Sequence, residues 1–570
     1  MTRLITSGLV FLAASVAAAT ALAWGMNAMG LGVTIAAILL GIAAAVGSYI
    51  ATKSLKADSS PPPNALEIGV LLIFAFATWR SFFWLLYTNG DAWFILSRYN
   101  LGDIALHANL IQYLARATPF WPQSSILADT ALTYPIGMDL FNALLLNLRI
   151  DLVTGLLWTG LLGSVMTAYA LWKWGRAFTV AAFLFGGGLV ELLSLFSSTL
   201  IQPEWKNPFL ALFVTQRGWL YALPATLLLL WSWRERLRKT TPLPSWVELL
   251  LYAVMPLFNI HAFLFLSATL LFLWLLNPAH RRRFFLFTAA AFLPATACAA
   301  LVTNGFQQTG GIHWAIGWLQ GAQPLTFWIL NFGISLPLLI VLCLFVYRKH
   351  DPIAETFVGT GSVVFLLCTL VSFAPWPWDN TKLMLLSWLA ATPFLWDYVL
   401  KPIAVPVRVV LCFLLFGSGA ITLWTGLNGT NGFSLIKRAE VDRVRTAIRD
   451  IPANERFACA PEYNHPVLFL GRPVIAGYEG HLWSHGLDYK PTLQKLTTLM
   501  QGDAGWESAL QSLRVRYLFW GPKEMDRYPK STRPWEACGV KIAQTEWGAV
   551  WDLQNCLEKT PEVKPDQNSQ

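Results

Sequence analysis

Asp103 and His107 are the first residues of this sequence whose types and spacing suggest chemistry. Four residues apart, they share one face if the segment 102–116 is a helix. A carboxylate and an imidazole on one face can accept and relay a proton. Asp103 could instead simply cap the start of that helix. Asp91, which follows an earlier apolar run, is a second candidate carboxylate.

Two cations lie next to apolar sequence and offer anion binding. Gln216 and Arg217 precede one apolar run, and a guanidinium at this position can hold a phosphate through two hydrogen bonds. Arg217 could also simply extend towards lipid headgroups. Lys382 opens another apolar run directly after Asp379 and Asn380, so its partner is either Asp379 or an anionic ligand.

Further polar and aromatic residues could shape a binding pocket around these charges. Tyr134 precedes a Pro-Ile-Gly turn, and Asn259 and His261 form a turn between two apolar runs. In the C-terminal region, aromatic and imidazole side chains could stack on a sugar, namely Tyr478, Trp483 and His485. His481 and His485 have the spacing of helical metal ligands, but no third ligand is evident, so we predict no metal here.

The elements that position these residues are apolar helices. Hydrophobic residues make up 55% of the 570 residues and charged residues only 13%, well below the share in soluble domains. The runs predict an all-α polytopic membrane domain of about thirteen spans, with interfacial helices in loop 88–151. The predicted spans are 5–24, 31–52, 66–87, 152–172, 178–199, 218–233, 244–258, 260–277, 284–303, 324–346, 354–374, 382–399 and 405–426.

Basic clusters indicate the orientation of these spans. Arginines and lysines recur after alternate spans, so all clusters lie on one side if the N-terminus is cytoplasmic. Residues 1–24 resemble a signal peptide but are long and directly followed by another span, which favours a retained helix. With thirteen spans the C-terminus is extracytoplasmic, and the polar candidates lie on that side.

The C-terminal region has a different composition. Residues 1–429 are the predicted membrane domain, whereas 430–557 have mixed charge and short strand-like runs that predict a small extracytoplasmic α/β domain. Residues 558–570 are predicted to be disordered. One disulfide is expected in this region, and Cys538–Cys556 is the favoured pairing among its three cysteines.

The candidate residues converge on one chemical task. Carboxylates, imidazoles and cations at one membrane face suit a lipid phosphate carrying a sugar, together with an acceptor that loses a proton. No nucleotide-phosphate loop is recognisable. The net charge of +9 reflects basic helix ends and does not indicate nucleic-acid binding.

The order of several short motifs resembles a poorly characterised bacterial branch of the GT-C superfamily of polytopic glycosyltransferases. The similarity covers most of residues 66–557. The motifs are Asp103–His107, Tyr134-Pro135, Gly186–Gly188, Gln216-Arg217, Asn259–Phe263, Asp379–Lys382, Gly471–Pro473, Gly477–Gly480, Trp483–Gly486, Tyr489 and Tyr517–Pro522.

The resemblance implies an inverting glycosyltransferase of the bacterial inner membrane. Its partners would be membrane lipids, a polyprenyl-phosphate-linked sugar donor and a glycan, lipid or protein acceptor. Asp103 would be the base, with Asp91 as the alternative because it lies nearer the first span of the shared module. No Asp-x-Asp pair is present, and a divalent cation is left open because some relatives use one.

On this interpretation the candidate residues fall into three groups. The base and its relay are Asp103, His107 and Asp91; the donor phosphate lies on Arg217, Lys382 and Gln216; the pocket is Tyr134, His261, Asn259, Asp379, Asn380, Tyr478, Trp483 and His485. Two other functions stay open: a transporter or flippase of lipid-linked saccharides, and a non-catalytic envelope-glycan assembly protein. A transporter would place its charges deep in its helices.

Overall fold

A computed structural model describes residues 1–28, 35–53, 55, 61–97, 100–116, 120–196, 203–307, 311–429 and 432–559. Residues 560–570, which form most of the tail predicted to be disordered, lie outside the described residues.

Most of the described chain is helical, in agreement with the predicted all-α membrane domain. The helices of residues 1–429 are α1 (Thr2–Ala28), α2 (Ile35–Thr52), α3 (Ala65–Phe83), α4 (Leu101–Leu114), α5 (Gly137–Asn147), α6 (Leu152–Leu184), α7 (Val190–Ser194), α8 (Trp219–Leu237), α9 (Ser245–Ala253), α10 (Met255–Phe258), α11 (Ile260–Leu276), α12 (Arg281–Val302), α13 (Pro324–Phe332), α14 (Ser335–Lys349), α15 (Pro352–Cys368), α16 (Thr381–Phe394) and α17 (Val405–Asn428).

Fewer helices can span a membrane than the sequence predicts. In the described part of the chain, six helices are long and apolar enough to cross a membrane, which fits a membrane protein. They are Thr2–Gly25, Ala65–Phe83, Leu152–Leu184, Pro278–Val302, Pro377–Leu400 and Val405–Asn428. The bent pair α13 and α14 would make a seventh, and four further apolar helices are shorter. The described residues therefore support a polytopic helical protein with fewer clear spans than the thirteen predicted.

The chain breaks explain the difference. The predicted spans 152–172 and 178–199 correspond to α6, which consists of two helical halves. They meet at Gly175 and Arg176, whose backbone is not helical, and the second half ends at Leu184. The triplet Gly186–Gly188 follows, and a Cβ atom on Gly188 would lie 1.9 Å from the Leu330 carbonyl oxygen. Because only glycine permits this approach, the backbone turns where the apolar run predicts a continuous span.

Other apolar runs are interrupted in the same way. The angle between α13 and α14 is 82°. Between α10 and α11, Asn259 is extended, and its side chain accepts a hydrogen bond from the Ala262 amide, so a new helix begins there. The break at Asn259 coincides with the turn predicted between spans 244–258 and 260–277. The bend between α13 and α14 falls inside the predicted span 324–346, where the apolar run gives no sign of it.

The C-terminal region is built of short strands and helices. Strands β6 (Phe457–Ala458), β7 (Tyr517–Trp520), β8 (Val540–Thr545) and β9 (Gly548–Asp552) form one sheet in the order β6-β7-β9-β8. Only β6 and β7 are parallel. Its helices are α18 (Arg438–Ala447), α19 (Pro466–Phe469), α20 (Glu479–Ser484), α21 (Lys490–Gln501), α22 (Trp506–Leu513), α23 (Pro522–Arg527) and α24 (Gln554–Lys559).

The C-terminal region is attached to the first large loop. In that loop, β1 (Tyr87–Asn89) and β2 (Ala92–Ile95) form a hairpin, and β2 also pairs antiparallel with β5 (Phe433–Lys437). Asn109 of α4 donates a hydrogen bond to the Leu468 carbonyl of α19 at 2.7 Å. The two segments, more than 300 residues apart, therefore form one structure above the helices.

The predicted Cys538–Cys556 disulfide is present and links the 3₁₀ turn Pro534–Ala537 to α24. We expect the double variant Cys538→Ser/Cys556→Ser to lose about 3 kcal/mol of stability, because the bond closes a loop of 18 residues in the unfolded chain. Thermal unfolding of the full-length protein measures this loss. Cys412→Ser, which removes a half-buried free cysteine, is the control, and equal midpoints for all three proteins would contradict the expectation.

Candidate functional site

Asp103 lies in the first turn of α4, which packs against α5 and α19. Burial raises the pKa of its carboxyl group to about 6, although the electrostatic interactions with His107 and Lys382 oppose the rise. The negative charge of Asp379 adds to it. A carboxyl group with a pKa near neutrality is ionised at pH 7 and still takes up a proton readily, as a general base must.

His107 is held by a carboxylate that lies 32 residues further along the chain. Its Nδ1 lies 2.9 Å from Oδ1 and 3.0 Å from Oδ2 of Asp139, in the first turn of α5. The two side chains are 2% and 1% exposed. A buried carboxylate that accepts from Nδ1 fixes the tautomer of the ring and directs Nε2 away from itself.

Arg217 lies behind this pair. It is 1% exposed, and its Nη2 donates to the Leu156 carbonyl at 3.1 Å and to the Thr159 hydroxyl. Its charge also interacts with that of Asp139. The enclosed position leaves no exposed guanidinium edge for a lipid phosphate, so the surroundings of Arg217 do not favour the predicted phosphate contact. Its neighbour Gln216 is half-buried.

Asp379 and Lys382 form an ion pair at the start of α16. Lys382 Nζ lies 3.0 Å from Oδ2 of Asp379, and the side chains are 12% and 18% exposed. Both charges act on Asp103. His261 of α11, whose Nε2 has no hydrogen-bond partner among the described residues, also interacts with both. The ion pair is therefore the electrostatic centre that joins the first loop to the N-terminal ends of α11 and α16.

The C-terminal region covers this centre with aromatic and imidazole rings. His485 stacks on Tyr134 at 4.9 Å between ring centroids, and Trp483 contacts Trp376 at 5.8 Å. His481 lies so close to Gly102 that a Cβ atom there would be 3.0 Å from its Nε2. Burial lowers the pKa of His485 to about 4, so this ring is neutral at pH 7.

Two predicted pocket residues serve the backbone. The amide group of Asn380 donates to the carbonyls of Cys368 and Val371, and its oxygen accepts from the Phe373 amide. Asn259 caps α11. The hydrogen bonds of Asn380 engage both its amide nitrogen and its oxygen, whereas those of Asn259 engage its oxygen, and both residues fix the turns that carry Asp379 and His261.

Asp91 and Tyr478 lie in more exposed settings. Asp91 is exposed at the turn between β1 and β2, and its carbonyl accepts a hydrogen bond from the Arg438 amide. Tyr478 is 37% exposed and contacts the rings of Tyr463 and His481. Of the two carboxylates that the sequence leaves open as the base, Asp103 has the enclosed environment.

Sequence reasoning did not assign Asp139 and Trp376 to the site. Asp139 follows the Tyr-Pro-Ile-Gly turn closely, which makes it look like an ordinary helix-capping carboxylate. A carboxylate in the first turn of a helix does not by itself indicate that it contacts a histidine far away in the sequence. The usable signal was the apolar character of α5, since a carboxylate in a buried helix requires a partner.

The donor set does not suit a metal ion. Within the described ranges, no three His, Cys, Asp or Glu side chains are grouped so that they could hold one. The divalent cation that the resemblance left open therefore has no fitting ligand set there, and we derive no chemical step through it.

In comparisons with known proteins, no family model matches the chain, and no curated protein matches it significantly.

Proposed function

We propose that this chain is an integral membrane glycosyltransferase. It moves a sugar from a polyprenyl-phosphate carrier to a glycan, lipid or protein acceptor outside the cytoplasm, with inversion at the anomeric carbon. One observation carries the proposal: the enclosed Asp103 carboxyl group, with a pKa of about 6, lies in the field of the Asp379–Lys382 ion pair beneath the rings of the C-terminal region.

The chemistry follows from these groups. Asp103 takes the proton of the acceptor hydroxyl or amine as that atom forms a bond to the anomeric carbon. The bond from that carbon to the phosphate oxygen breaks, and its electron pair leaves on the polyprenyl phosphate. Lys382 stabilises the negative charge that develops there. The rings of Tyr134, Trp483 and Trp376 offer faces on which a sugar can stack.

His107 and Asp139 support the base. Asp139 holds His107 through Nδ1, so Nε2 can receive a proton from Asp103 and pass it on. The positive charge of the buried Arg217 guanidinium interacts favourably with the Asp139 carboxylate. In this mechanism Arg217 interacts with Asp139 and does not contact the substrate. Of the predicted phosphate-binding residues, only Lys382 is assigned to the donor phosphate.

The proposal includes a location. Six apolar helices support a membrane protein, and we propose a multi-pass protein of the bacterial inner membrane with a cytoplasmic N-terminus. The Cys538–Cys556 disulfide supports an oxidising, extracytoplasmic setting for the C-terminal domain.

A radiolabelled polyprenyl-phosphate sugar tests the proposed function. Membranes containing the protein are incubated with this donor, and the label is followed into acceptors soluble in water or in organic solvent. Label that passes to an acceptor supports the enzyme. Label that becomes protected from added hydrolase without being consumed supports a flippase, and label that stays unchanged supports a non-catalytic assembly protein.

Lys382→Gln is expected to lower kcat/KM about 100-fold, because it removes the charge that meets the leaving phosphate. Lys382→Arg keeps the charge and should restore most of the activity. The measurement is initial transfer rate against donor concentration in reconstituted bilayers. If both variants lost kcat/KM equally, the shape of the Lys382 side chain would matter and its charge would not, which would contradict the proposed role.

A further inference from the structure

A cavity of about 690 Å³ lies among the C-terminal end of α8 and the N-terminal ends of α9 and α12. None of the candidate site residues lines it. The cavity has a charged end and an apolar end, as a cavity that holds an amphiphile requires.

The charged end has more donors than acceptors. Three arginines and one glutamate line the cavity, which leaves a net of two positive charges. Glu248 is already engaged by Arg236, whose Nε and Nη2 lie 2.6–3.0 Å from its carboxylate oxygens. Arg283 donates to the Ser245 hydroxyl at 3.1 Å, and Arg282 has no hydrogen-bond or ionic partner in the described part of the chain.

A buried hydrogen-bond donor at the cavity, the indole of Trp233, also indicates a ligand with acceptor oxygens. Trp233 lines the cavity and is 1% exposed, and its indole Nε1 has no acceptor among the described residues. Leaving such a donor buried without an acceptor is costly. A ligand rich in acceptor oxygens would satisfy both this indole and the free arginine.

The other end of the cavity is apolar and opens on the outer face of the helices. Trp246 and Leu286 are 42% and 55% exposed there, and Leu249 and Phe287 continue the apolar surface. Exposed apolar side chains on helices of a membrane protein face lipid chains. A ligand that enters from this end therefore comes from the bilayer.

We infer that this cavity binds an anionic phospholipid. Its phosphate lies between Arg282 and Arg283, and one acyl chain follows the apolar side chains of α9 and α12. Basic pockets between membrane helices are suited to such headgroups, because guanidinium groups hold phosphate through paired hydrogen bonds. This site is independent of the proposed transferase activity.

The test is selective lipid retention by the full-length protein. The protein is reconstituted in bilayers of equal parts phosphatidylglycerol and phosphatidylcholine, extracted in mild detergent, and the retained phospholipids are quantified by mass spectrometry. We expect wild-type protein to enrich phosphatidylglycerol, and Arg282→Gln/Arg283→Gln to reduce that enrichment about tenfold. Ala290→Phe, which fills the apolar end, should reduce it while leaving both arginines in place.

Arg281→Gln/Arg348→Gln is the matched control. It removes two positive charges from helix ends outside the cavity lining and should retain wild-type enrichment. Equal losses in the two double variants would show only a general attraction between basic residues and anionic lipid, and would overturn the site. No enrichment in the wild type, or displacement of the lipid by inorganic phosphate alone, would overturn it as well.

Discussion

Replacing Asp103 by Asn is expected to reduce transfer at least about 1000-fold, the largest loss predicted for any single substitution in this protein. Asn has nearly the shape of Asp but cannot accept a proton. The substitution removes the base and leaves the shape of the site nearly unchanged, so the loss should appear in kcat. The measurement is label transfer by purified, reconstituted protein normalised to folded enzyme.

The pH profile identifies the group that is lost. The wild-type rate should fall as pH drops through about 6, because burial raises the pKa of Asp103 to that value and the protonated form cannot act as a base. Asp91→Asn, at an exposed turn, should keep both the rate and the profile. If Asp91→Asn abolished transfer while Asp103→Asn did not, the assignment of the base would be reversed.

Asp139→Asn is expected to lower kcat about 100-fold with little effect on the donor KM. Asn offers Nδ1 of His107 one neutral acceptor in place of a carboxylate, so the imidazolium loses its counter-charge and the ring loses its fixed tautomer. The Asp139 carboxylate also interacts electrostatically with the buried guanidinium group of Arg217. Rates and pH profiles of the variant report the effect.

Two controls separate this positioning role from a structural one. Asp139→Glu keeps the charge and should recover part of the rate. Asp139→Asn/Arg217→Met removes the buried cation that the single variant leaves uncompensated, and it should recover stability but not kcat. If thermal unfolding changed while the rate per folded molecule and the pH profile did not, Asp139 would have only a structural role.

The fold could be predicted only as far as local patterns reach. Apolar composition indicates helices that can span a membrane, and the Cys538–Cys556 pairing was predicted because few cysteines lie in the C-terminal region. The number of spans was not predictable, because the close approach at Gly188 and the bend between α13 and α14 depend on residues packed from elsewhere. A hydropathy pattern describes one segment at a time and does not include the residues that pack against it from other parts of the chain.

The site was predictable in its parts and not in its pairings. The four-residue spacing of Asp103 and His107 is a local signal, and the structure has both on α4. The contact of His107 with Asp139 joins two loop helices, and the burial of Arg217 depends on α6. Long-range partners of this kind follow from packing, so sequence spacing alone could not assign Asp139 or the position of Arg217.

The pairing of β2 with β5 limits how substrates and products can exchange. Strand β5 begins within a few residues of the end of α17, where the chain enters the C-terminal domain. The pairing of β5 with β2 therefore attaches this domain to the first loop close to the point where the domain begins. A domain that is held to the first loop by backbone hydrogen bonds cannot swing away from the helices as a rigid body. Under the proposed function, donor and acceptor would then enter between the helices and the edge of the domain, while the hydrocarbon chain of the carrier stays in the bilayer.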